Sequence, residues 1–179
     1  PNMINIIGVS GKSGSGKDHL TQHVLRPLGY YQFSLSWPFK VEAVGVGVAT
    51  HDEVFHTKPP HVRQFLQLRG TEEGRNVHGE DVWCRHALEW MRIFQLNWGI
   101  DKFVISDVRY PNEVEFIHNL SGRVFRVEAP QRVASNQLTD EQRQHDSEIA
   151  LDAYPHFDGT IYNDVDDDAA TQLLSLLHT

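Results

Sequence analysis

A glycine-rich loop near the start of the chain constrains the fold more than any other stretch. It reads GKSGSGKD, from Gly11 to Asp18, and its first seven residues have the spacing of a phosphate-binding loop. The preceding run MINIIGVS is short, apolar and rich in β-branched residues, which is typical of a buried strand. The following segment KDHLTQHVLRPLG has apolar residues at helical spacing. The N–H groups of such a strand–loop–helix unit point together at a phosphate, so a nucleotide site is predicted.

Three glycines and one lysine give this loop its chemistry. Side chains at Gly11, Gly14 and Gly16 would block the close approach of a phosphate or forbid the turn. Lys17 would reach the β- and γ-phosphates as a point charge. The residues of the loop predicted to bind ATP are Ser13, Gly14, Ser15, Gly16, Lys17, Asp18 and His19.

The last position of the loop departs from the usual pattern. Asp18 stands where a Ser or Thr hydroxyl normally binds magnesium. A carboxylate is a hard oxygen ligand for Mg²⁺, directly or through a water, and it also suits the first turn of a helix. It would repel the phosphates if magnesium were absent. We therefore predict an ATP site with Mg²⁺ as cofactor and Asp18 as a metal ligand.

The rest of the chain alternates strands and helices. Four further strands are predicted, with the sequences YYQFSLS, DKFVISDVR, GRVFRVEA and DGTIYND. Helices are predicted at PFKVEAVGVGV, PHVRQFLQLRG, EDVWCRHALEWMRIFQLNWG, PNEVEFIHNL and DDDAATQLLSLLH, and the apolar face of the longest carries Cys84, Leu88, Met91, Phe94 and Trp98. The alternation predicts an α/β fold with a mainly parallel sheet covered on both faces. A single domain over residues 1–179 is expected, since a chain of 179 residues can bury one substantial core.

Charge and cysteine content narrow the classes of partner. The formal net charge of −8 argues against a surface that binds polymeric nucleic acid or an anionic membrane. An anionic ligand must then meet a local positive site. The single cysteine, Cys84, forms no internal disulfide and is interpreted as a small buried residue. Nothing resembles a signal peptide or a membrane span, so a cytoplasmic protein is expected.

An ordered set of short motifs resembles the bacteriophage deoxynucleoside monophosphate kinases of the P-loop kinase superfamily. The motifs are GKSGSGKD, LQLRGTEEGR, DVW, ISDVRYPNE, HDSE and YND, and the similarity runs from Met3 to about Asp168. Many families share the loop, whereas LQ..GTE..R and DVR.PNE are much more specific. The resemblance implies a three-layer α/β/α P-loop kinase with a five-stranded parallel sheet, a helical monophosphate-binding region at about 37–98 and a lid at about 129–150. The implied reaction, transfer of the ATP γ-phosphate to a deoxynucleoside monophosphate, would serve nucleotide biosynthesis in an infected bacterial cytoplasm.

The implied site needs cations to hold and neutralise two anionic groups. It needs no general base, because the acceptor phosphate is already a nucleophile near neutral pH. By resemblance, Arg63 grips the acceptor's 5′-phosphate and Trp83 stacks on its base; the alternatives are a solvated arginine and a core tryptophan. The predicted substrate-binding residues are Lys12, Arg63, Gly70, Thr71, Arg75, Trp83, Asp107, Arg109, Asn112 and Glu113.

Asp107 and Arg109 end the predicted strand FVISDVR, at the edge of a parallel sheet where ligands collect. Asp107 is interpreted as a magnesium ligand that acts through a water, and Arg109 as a contact to a phosphate or to the acceptor. Alternatively, the two pair with each other. Asn112 and Glu113 either contact the base or sugar of the acceptor or serve as polar residues of a helix N-terminus.

The polar segment PQRVASNQLTDEQRQHDSE lacks periodicity over about twenty residues, which favours a functional segment, here the implied lid. Arg132 and Arg143 are its cations, and Arg132 is favoured as the one that reaches the transferring phosphoryl group. The predicted catalytic residues are Lys17, Arg63, Arg109 and Arg132. Asn163 ends the last strand, where kinases of this type present a loop to adenine, and is added to the ATP-binding residues; the alternative is turn formation.

Two other functions stay open. A P-loop kinase for dephospho-coenzyme A or a phosphorylated metabolite would share the loop, the sheet and the lid. A nucleotide-binding regulatory module without turnover would explain Asp18 as a loss of magnesium chemistry. The expected partners are ATP and a deoxynucleoside monophosphate, without polymeric nucleic acid or membrane, and a homodimer is compatible with the resemblance.

Overall fold

A five-stranded sheet forms the centre of the protein. The structure is a computed structural model that describes residues 3–179, so the two residues before Met3 lie outside it. The strands are β1 (Asn5–Gly11), β2 (Tyr31–Phe33), β3 (Lys102–Val108), β4 (Arg123–Glu128) and β5 (Gly159–Tyr162). Their order is β2-β3-β1-β4-β5, and every neighbouring pair is parallel. The five predicted strands and the parallel sheet are confirmed.

Helices connect the strands, as the alternating pattern predicts. They are α1 (Lys17–Leu20), α2 (Trp37–Gly45), α3 (Pro60–Gln67), α4 (Asn76–His78), α5 (Val82–Trp98), α6 (Pro111–Asn119), α7 (Pro130–Ala134), α8 (Asp140–Arg143), α9 (Asp146–Ile149) and α10 (Ala169–Leu177). Helix α1 continues through a π-helical stretch, Thr21–Leu25, and a 3₁₀ turn, Arg26–Leu28. Two further π-helical stretches are Glu53–Thr57 and Leu68–Arg75. Over residues 3–179, no helix is both long enough and apolar enough to cross a membrane.

Successive residues of a strand point to opposite faces of the sheet. Helices pack against the apolar residues on both faces. On one face, Ile6 packs in a cluster with Phe103 and with Met91 of α5. On the other face, the next residue, Ile7, packs in a cluster that includes Leu173 of α10. Both clusters are fully buried, and together they give the three-layer α/β/α arrangement.

The region 37–98 is helical and has a small core of its own. This third cluster of buried residues consists of Ala43, Ala49, Val54 and Val62. Helix α5 connects the region to the sheet through Ala87 and Met91, and its Cys84 is also buried. The predicted apolar face of α5 is wrong at its last position, because Trp98 is 64% exposed at the helix end, where the helix has passed the edge of the core.

The aperiodic segment 129–150 contains three short helices, α7, α8 and α9. Each has four or five residues, too few for a repeating apolar face, which is why periodicity gave no signal. Local capping stabilises two of them. The Thr139 hydroxyl accepts from the Gln142 N–H in a reciprocal capping box at α8, and the His145 ring caps α9 by accepting from the Ser147 N–H.

Packing of α5 against the sheet can be tested with one buried and one exposed position. Met91 is 0% exposed and Leu96 is 78% exposed. We expect Met91→Ala to lower the free energy of unfolding by about 2–4 kcal/mol, through lost burial and a residual cavity. Leu96→Ala should change it by less than about 0.5 kcal/mol. Urea denaturation of both variants checks this, and equal effects would contradict the described orientation of α5.

Candidate active site

The phosphate-binding loop follows β1 at the same end of the sheet as the C-terminal end of β3. Gly14 and Gly16 have φ angles of 85° and 86°, a left-handed backbone that glycine adopts without strain. The Asn163 side-chain amide donates to the Ser15 carbonyl at 2.8 Å, and a side chain on Gly16 would collide with that amide. The predicted need for glycine therefore has two causes here, backbone conformation and the close packing of Asn163.

The loop presents unused hydrogen-bond donors. Within the described residues, the backbone N–H groups of Gly16, Lys17 and Asp18 donate to no protein acceptor. The Lys17 side chain is buried and also forms no hydrogen bond or ion pair in residues 3–179. Free N–H groups beside an ammonium are an arrangement that binds phosphate.

A cavity of about 480 Å³ brings six cationic side chains together. They are Lys17 of the loop, Lys40 of α2, Lys58 of the turn before α3, Arg63 of α3, Arg75 at the end of the π-helical stretch Leu68–Arg75 and Arg109 at the end of β3. Arg109 and Arg75 form ion pairs with carboxylates, whereas the other four form none within residues 3–179. In a chain with net charge −8, this concentration of positive charge marks a site for an anionic ligand.

Burial of these cations shifts their proton equilibria. Burial, with the Arg109 charge as the next cause, lowers the pKa of the Lys17 ammonium to about 8. Burial also lowers the pKa of Lys40 to about 8, with the Lys58 charge as the next cause. The pKa values of Lys58 and Arg63 are lowered as well, in both cases mainly by burial. An anion bound among these groups would favour their charged forms.

Glu148 is the anion that the protein itself supplies to the loop. Its Oε1 accepts from Arg109 Nη1 at 2.9 Å, and its Oε2 accepts from the Ser13 N–H at 3.4 Å. The Glu148 side chain is only 7% exposed. Although burial opposes ionisation, the Arg109 guanidinium holds the pKa of Glu148 below its usual value. The Glu148 carboxylate thus occupies part of the anion-binding surface of the loop.

Asp107 does not pair with Arg109 but organises the start of α2. Its carboxylate accepts from the Ser34 hydroxyl at 2.6 Å and from the N–H groups of Leu35 and Ser36 at 2.8 and 3.0 Å. Burial raises the pKa of Asp107, but the Lys40 charge and these hydrogen bonds outweigh it, so the net shift is downward. The strand-end carboxylate therefore fixes the backbone from which Lys40 projects.

Asp18 and Asp107 are the candidate ligands for magnesium, and both line the cavity. Asp18 is exposed in the first turn of α1, and one oxygen of Asp107 has a single hydrogen bond. Over residues 3–179, no three His, Cys, Asp or Glu side chains converge on one point. Such a donor set fits Mg²⁺, which typically takes one or two carboxylates and completes its coordination with phosphates and water.

Trp83 and Gly70 form an apolar wall of the same cavity. The Trp83 indole N–H donates to the Gly70 carbonyl at 2.8 Å, and its ring lies 4.9 Å from that of Phe39, centroid to centroid. A side chain on Gly70 would press against the Phe39 ring. Trp83 is partly buried and lines the cavity, so part of its ring can receive a flat ligand.

Beyond this wall, Arg75 is held by a network of its own. Its guanidinium stacks 3.6 Å from the Tyr110 ring centroid and donates to Asn112 Oδ1 at 3.0 Å. The Tyr110 hydroxyl hydrogen-bonds to that of Thr71 at 2.9 Å. Glu113 accepts from the backbone N–H groups of Arg109 and Tyr110, so it serves the N-terminus of α6 as the alternative interpretation expected.

Several predicted site residues lie outside the cavity lining. They are Lys12, Ser15, Gly16, His19, Asn112, Arg132 and Asn163. Lys12 pairs with Asp152 at 2.7 Å, and Arg132 is exposed on α7. Arg143, at the end of α8, donates to the Val133 carbonyl of α7 at 3.4 Å and to the Asn136 carbonyl at 2.9 Å. Their predicted roles stay predictions.

The sequence analysis missed many of the lining residues, among them Lys40, Lys58, Tyr110 and Phe39. Lys40 and Lys58 belong to no recognised motif, Tyr110 is the variable position of DVR.PNE, and Phe39 is typical of an ordinary core residue. Among these residues, the sequence offers a local signal for Lys58, which stands directly before two prolines. Glu148 was noted in HDSE, but no local pattern connects it with a loop 135 residues earlier.

Comparison with known sequences gives viral relatives. No family model matches the chain. A protein of Acanthamoeba polyphaga mimivirus, provisionally named a deoxynucleotide monophosphate kinase, is 25% identical over 177 residues, which cover 88% of each chain. The uncharacterized protein ORF77 of Ictalurid herpesvirus 1 is 28% identical over 151 residues, covering 83% of this chain and 59% of the relative.

Comparison with solved structures shows the fold. TT1252 from Thermus thermophilus matches with a TM-score of 0.60 at 17% identity, covering 99% of this chain and 97% of the other. A sugar kinase from Janibacter sp. matches at 0.56 and 15% identity, with 98% and 95% covered. Shikimate kinase from Aquifex aeolicus matches at 0.51 and 14% identity, with 97% and 96% covered. The P-loop kinase fold is thus confirmed.

Glu113 should make stability depend on pH. The pKa of Glu113 is raised from 4.5 to about 7, chiefly by burial and also by the Asp107 charge. The hydrogen bonds from Arg109 and Tyr110 and the charge of Arg75 act in the opposite direction. Below pH 4.5 both the folded and the unfolded states hold the proton. As pH rises towards 7 the unfolded state releases it first, so the wild type should lose up to about 3 kcal/mol.

Glu113→Gln keeps an oxygen for both backbone N–H groups but cannot ionise. We expect its free energy of unfolding to gain on that of the wild type between pH 4.5 and 7, as measured by denaturant titration at several pH values. Glu115→Gln, on the exposed side of α6, is the matched control and should run parallel to the wild type. A parallel curve for Glu113→Gln would contradict the raised pKa.

Proposed function

We propose that this protein is a kinase that transfers the γ-phosphate of ATP to a deoxynucleoside 5′-monophosphate. The observation that carries the proposal is the cavity in which the free N–H groups of the phosphate-binding loop meet six cationic side chains. Two clustered phosphate groups, one from each substrate, would supply the anions that this cavity lacks. The name of the mimivirus relative and the sugar and shikimate kinases among the fold neighbours support the same reaction class.

The ATP side of the site is the loop. The β- and γ-phosphates would accept hydrogen bonds from the N–H groups of Gly16, Lys17 and Asp18, and the Lys17 ammonium would neutralise them. Bound Mg²⁺ would supply charge neutralisation of the phosphates, with Asp18 and Asp107 as its protein ligands. Asn163 supports the loop from behind, where it binds the Ser15 carbonyl.

The acceptor side is the wall formed by α3, α5 and the π-helical stretch Leu68–Arg75. Arg63 would grip the acceptor phosphate, because its guanidinium lies in the cavity without a carboxylate partner among residues 3–179. The base would stack on Trp83, whose indole N–H is already used by Gly70. The Thr71–Tyr110 hydroxyl pair and Arg75 would border the nucleoside.

Arg109 would change partners during the reaction. In this structure it pairs with Glu148, at the loop where ATP would bind. Phosphate oxygens would compete with the Glu148 carboxylate both for the Ser13 N–H and for the Arg109 guanidinium. Displacement of Glu148 would also move α9 and the segment 129–150, which could bring Arg132 towards the phosphates and exclude water.

Other acceptors give a second candidate within the same reaction class. A phosphorylated acceptor without a base would use Arg63 and the loop but would not need Trp83. The unpaired cations Lys40, Lys58 and Arg63 argue against a binding module without turnover. Together with Lys17 they supply more positive charge than the phosphate chain of one nucleotide at the loop requires.

Turnover tests the proposal directly. Release of ADP from ATP and Mg²⁺ should occur with one or more deoxynucleoside monophosphates. We expect Lys17→Ala and Arg63→Ala to lower kcat/KM by about 100-fold or more, since each removes charge from the transition state. Arg92→Ala is the control, because Arg92 pairs with Glu89 on the exposed side of α5. Folded protein that binds ATP but turns over no nucleotide would refute the proposal.

Substitutions at Trp83 distinguish a nucleotide acceptor from one without a base. Trp83→Phe keeps an aromatic face but loses the hydrogen bond to Gly70, whereas Trp83→Leu loses both. If the ring stacks on a base, the acceptor KM should rise about tenfold or more in Trp83→Leu and clearly less in Trp83→Phe. Equal effects of the two variants would indicate that Trp83 acts only by supporting the backbone at Gly70.

A further inference from the structure

Lys58 has a backbone conformation that lysine rarely adopts. Its φ and ψ angles are 46° and 62°, in the left-handed region, and Ser121 is the other non-glycine residue with positive φ among residues 3–179. Glycine adopts this conformation without strain, and a lysine here is disfavoured. Pro59 follows with φ −61° and ψ 162°, at the start of α3. The backbone of this turn is thus strained at Lys58, the residue that carries the long charged side chain.

The Lys58 side chain uses that turn to enter the cavity rather than to reach solvent. It lines the cavity with Lys40, and burial is the main influence on both ammonium groups. Among the described residues, neither ammonium forms a hydrogen bond or an ion pair; Lys40 lies 5.6 Å from the Phe55 ring centroid. Two partly buried cations that line one cavity without a carboxylate partner lack the anion that would offset their repulsion.

Lys58 stands in the turn that leads into α3, the helix that carries Arg63. Lys58 and Lys40 line the same cavity as Lys17 of the loop and as Arg63. The charge of Lys58 also influences the pKa values of Lys17 and Lys40. The two lysines therefore line the cavity that would hold both the ATP phosphates and the acceptor phosphate.

We propose that Lys58 and Lys40 form a phosphate subsite of their own, which binds the phosphoryl group while it passes from ATP to the acceptor. This inference rests on the proposed kinase function for its role in turnover, but the subsite itself can be tested without an acceptor. An oxygen of the acceptor phosphate forms a bond to the γ-phosphorus. The bond from that phosphorus to the β–γ bridging oxygen breaks, and its electron pair leaves with ADP.

The two lysines stay protonated throughout and donate to the equatorial oxygens of the moving group. They serve as electrostatic catalysts, because the charge on those oxygens is shared between the two substrates only in the transition state. Neither residue is required to hold ATP at the loop, where the backbone N–H groups and Lys17 suffice. The subsite therefore predicts an effect on kcat larger than the effect on ATP affinity.

Lys58→Gly tests the charge of Lys58 without destabilising the fold. It removes the ammonium, and glycine adopts the left-handed backbone conformation without strain. The probe is inorganic tetraphosphate, a chain longer than that of ATP, titrated calorimetrically. We expect wild-type binding to weaken about tenfold or more in Lys58→Gly and in Lys40→Met, with thermal stability of Lys58→Gly unchanged or higher. Lys102→Met is the control and should bind as the wild type, because Lys102 contacts Tyr30 and the Leu28 carbonyl outside the cavity.

In turnover, Lys58→Gly should lower kcat about 100-fold while the ATP affinity changes less than about threefold, and Lys58→Arg should recover part of the loss. Wild-type tetraphosphate affinity in Lys58→Gly, together with loss in Lys17→Ala, would overturn the subsite; so would a wild type that does not bind tetraphosphate. Lys58-dependent tetraphosphate binding in a protein that turns over no deoxynucleotide would support the subsite and refute the proposed function instead.

Discussion

Six cationic side chains share one cavity, and the organisation of the site depends on how their mutual repulsion is offset. The offsetting carboxylates come from distant parts of the chain: Asp107 at the end of β3, Glu113 at the start of α6 and Glu148 on α9. Arg109 is paired directly with Glu148, and Arg75 with Glu113. Because the sheet order places β1 beside β3, the loop and the strand end that carries Asp107 and Arg109 must face the same cavity.

The Arg109–Glu148 pair connects the loop to the segment 129–150. Glu148 touches the loop through the Ser13 N–H, and Lys12 donates to the Glu148 carbonyl at 3.0 Å. The Glu148 carboxylate satisfies two groups, the Ser13 N–H and the Arg109 guanidinium, that a phosphate would also use. A phosphate that displaced this carboxylate would free α9 from the loop, so we propose that ligand binding is coupled to the position of the segment 129–150.

Sequence reasoning succeeded where the chemistry is local. The loop, the five strands and the position of Asp107 and Arg109 at a strand end all follow from short patterns. It failed where a role depends on contacts between distant residues, as for Glu148 and the lysines at 40 and 58. The short helices of the segment 129–150 escaped detection because capping, not periodicity, defines them. The preference of Asp107 for the start of α2 over Arg109 likewise depends on the tertiary position of β2.

The two halves of the cavity differ in how far their polar groups are already satisfied. Around the proposed nucleoside, Trp83, Thr71 and Arg75 are fixed by hydrogen bonds to the protein, so their positions precede ligand binding and can select a shape. Around the proposed phosphates, Lys17, Lys40 and Arg63 have no such partners in residues 3–179. The groups that would select the ligand's shape are thus held in place before it binds. The unpaired cations, in contrast, gain favourable electrostatic interactions only when an anion binds. An anion of the right charge but the wrong shape would gain only the second contribution, which is how a strongly cationic cavity can still discriminate.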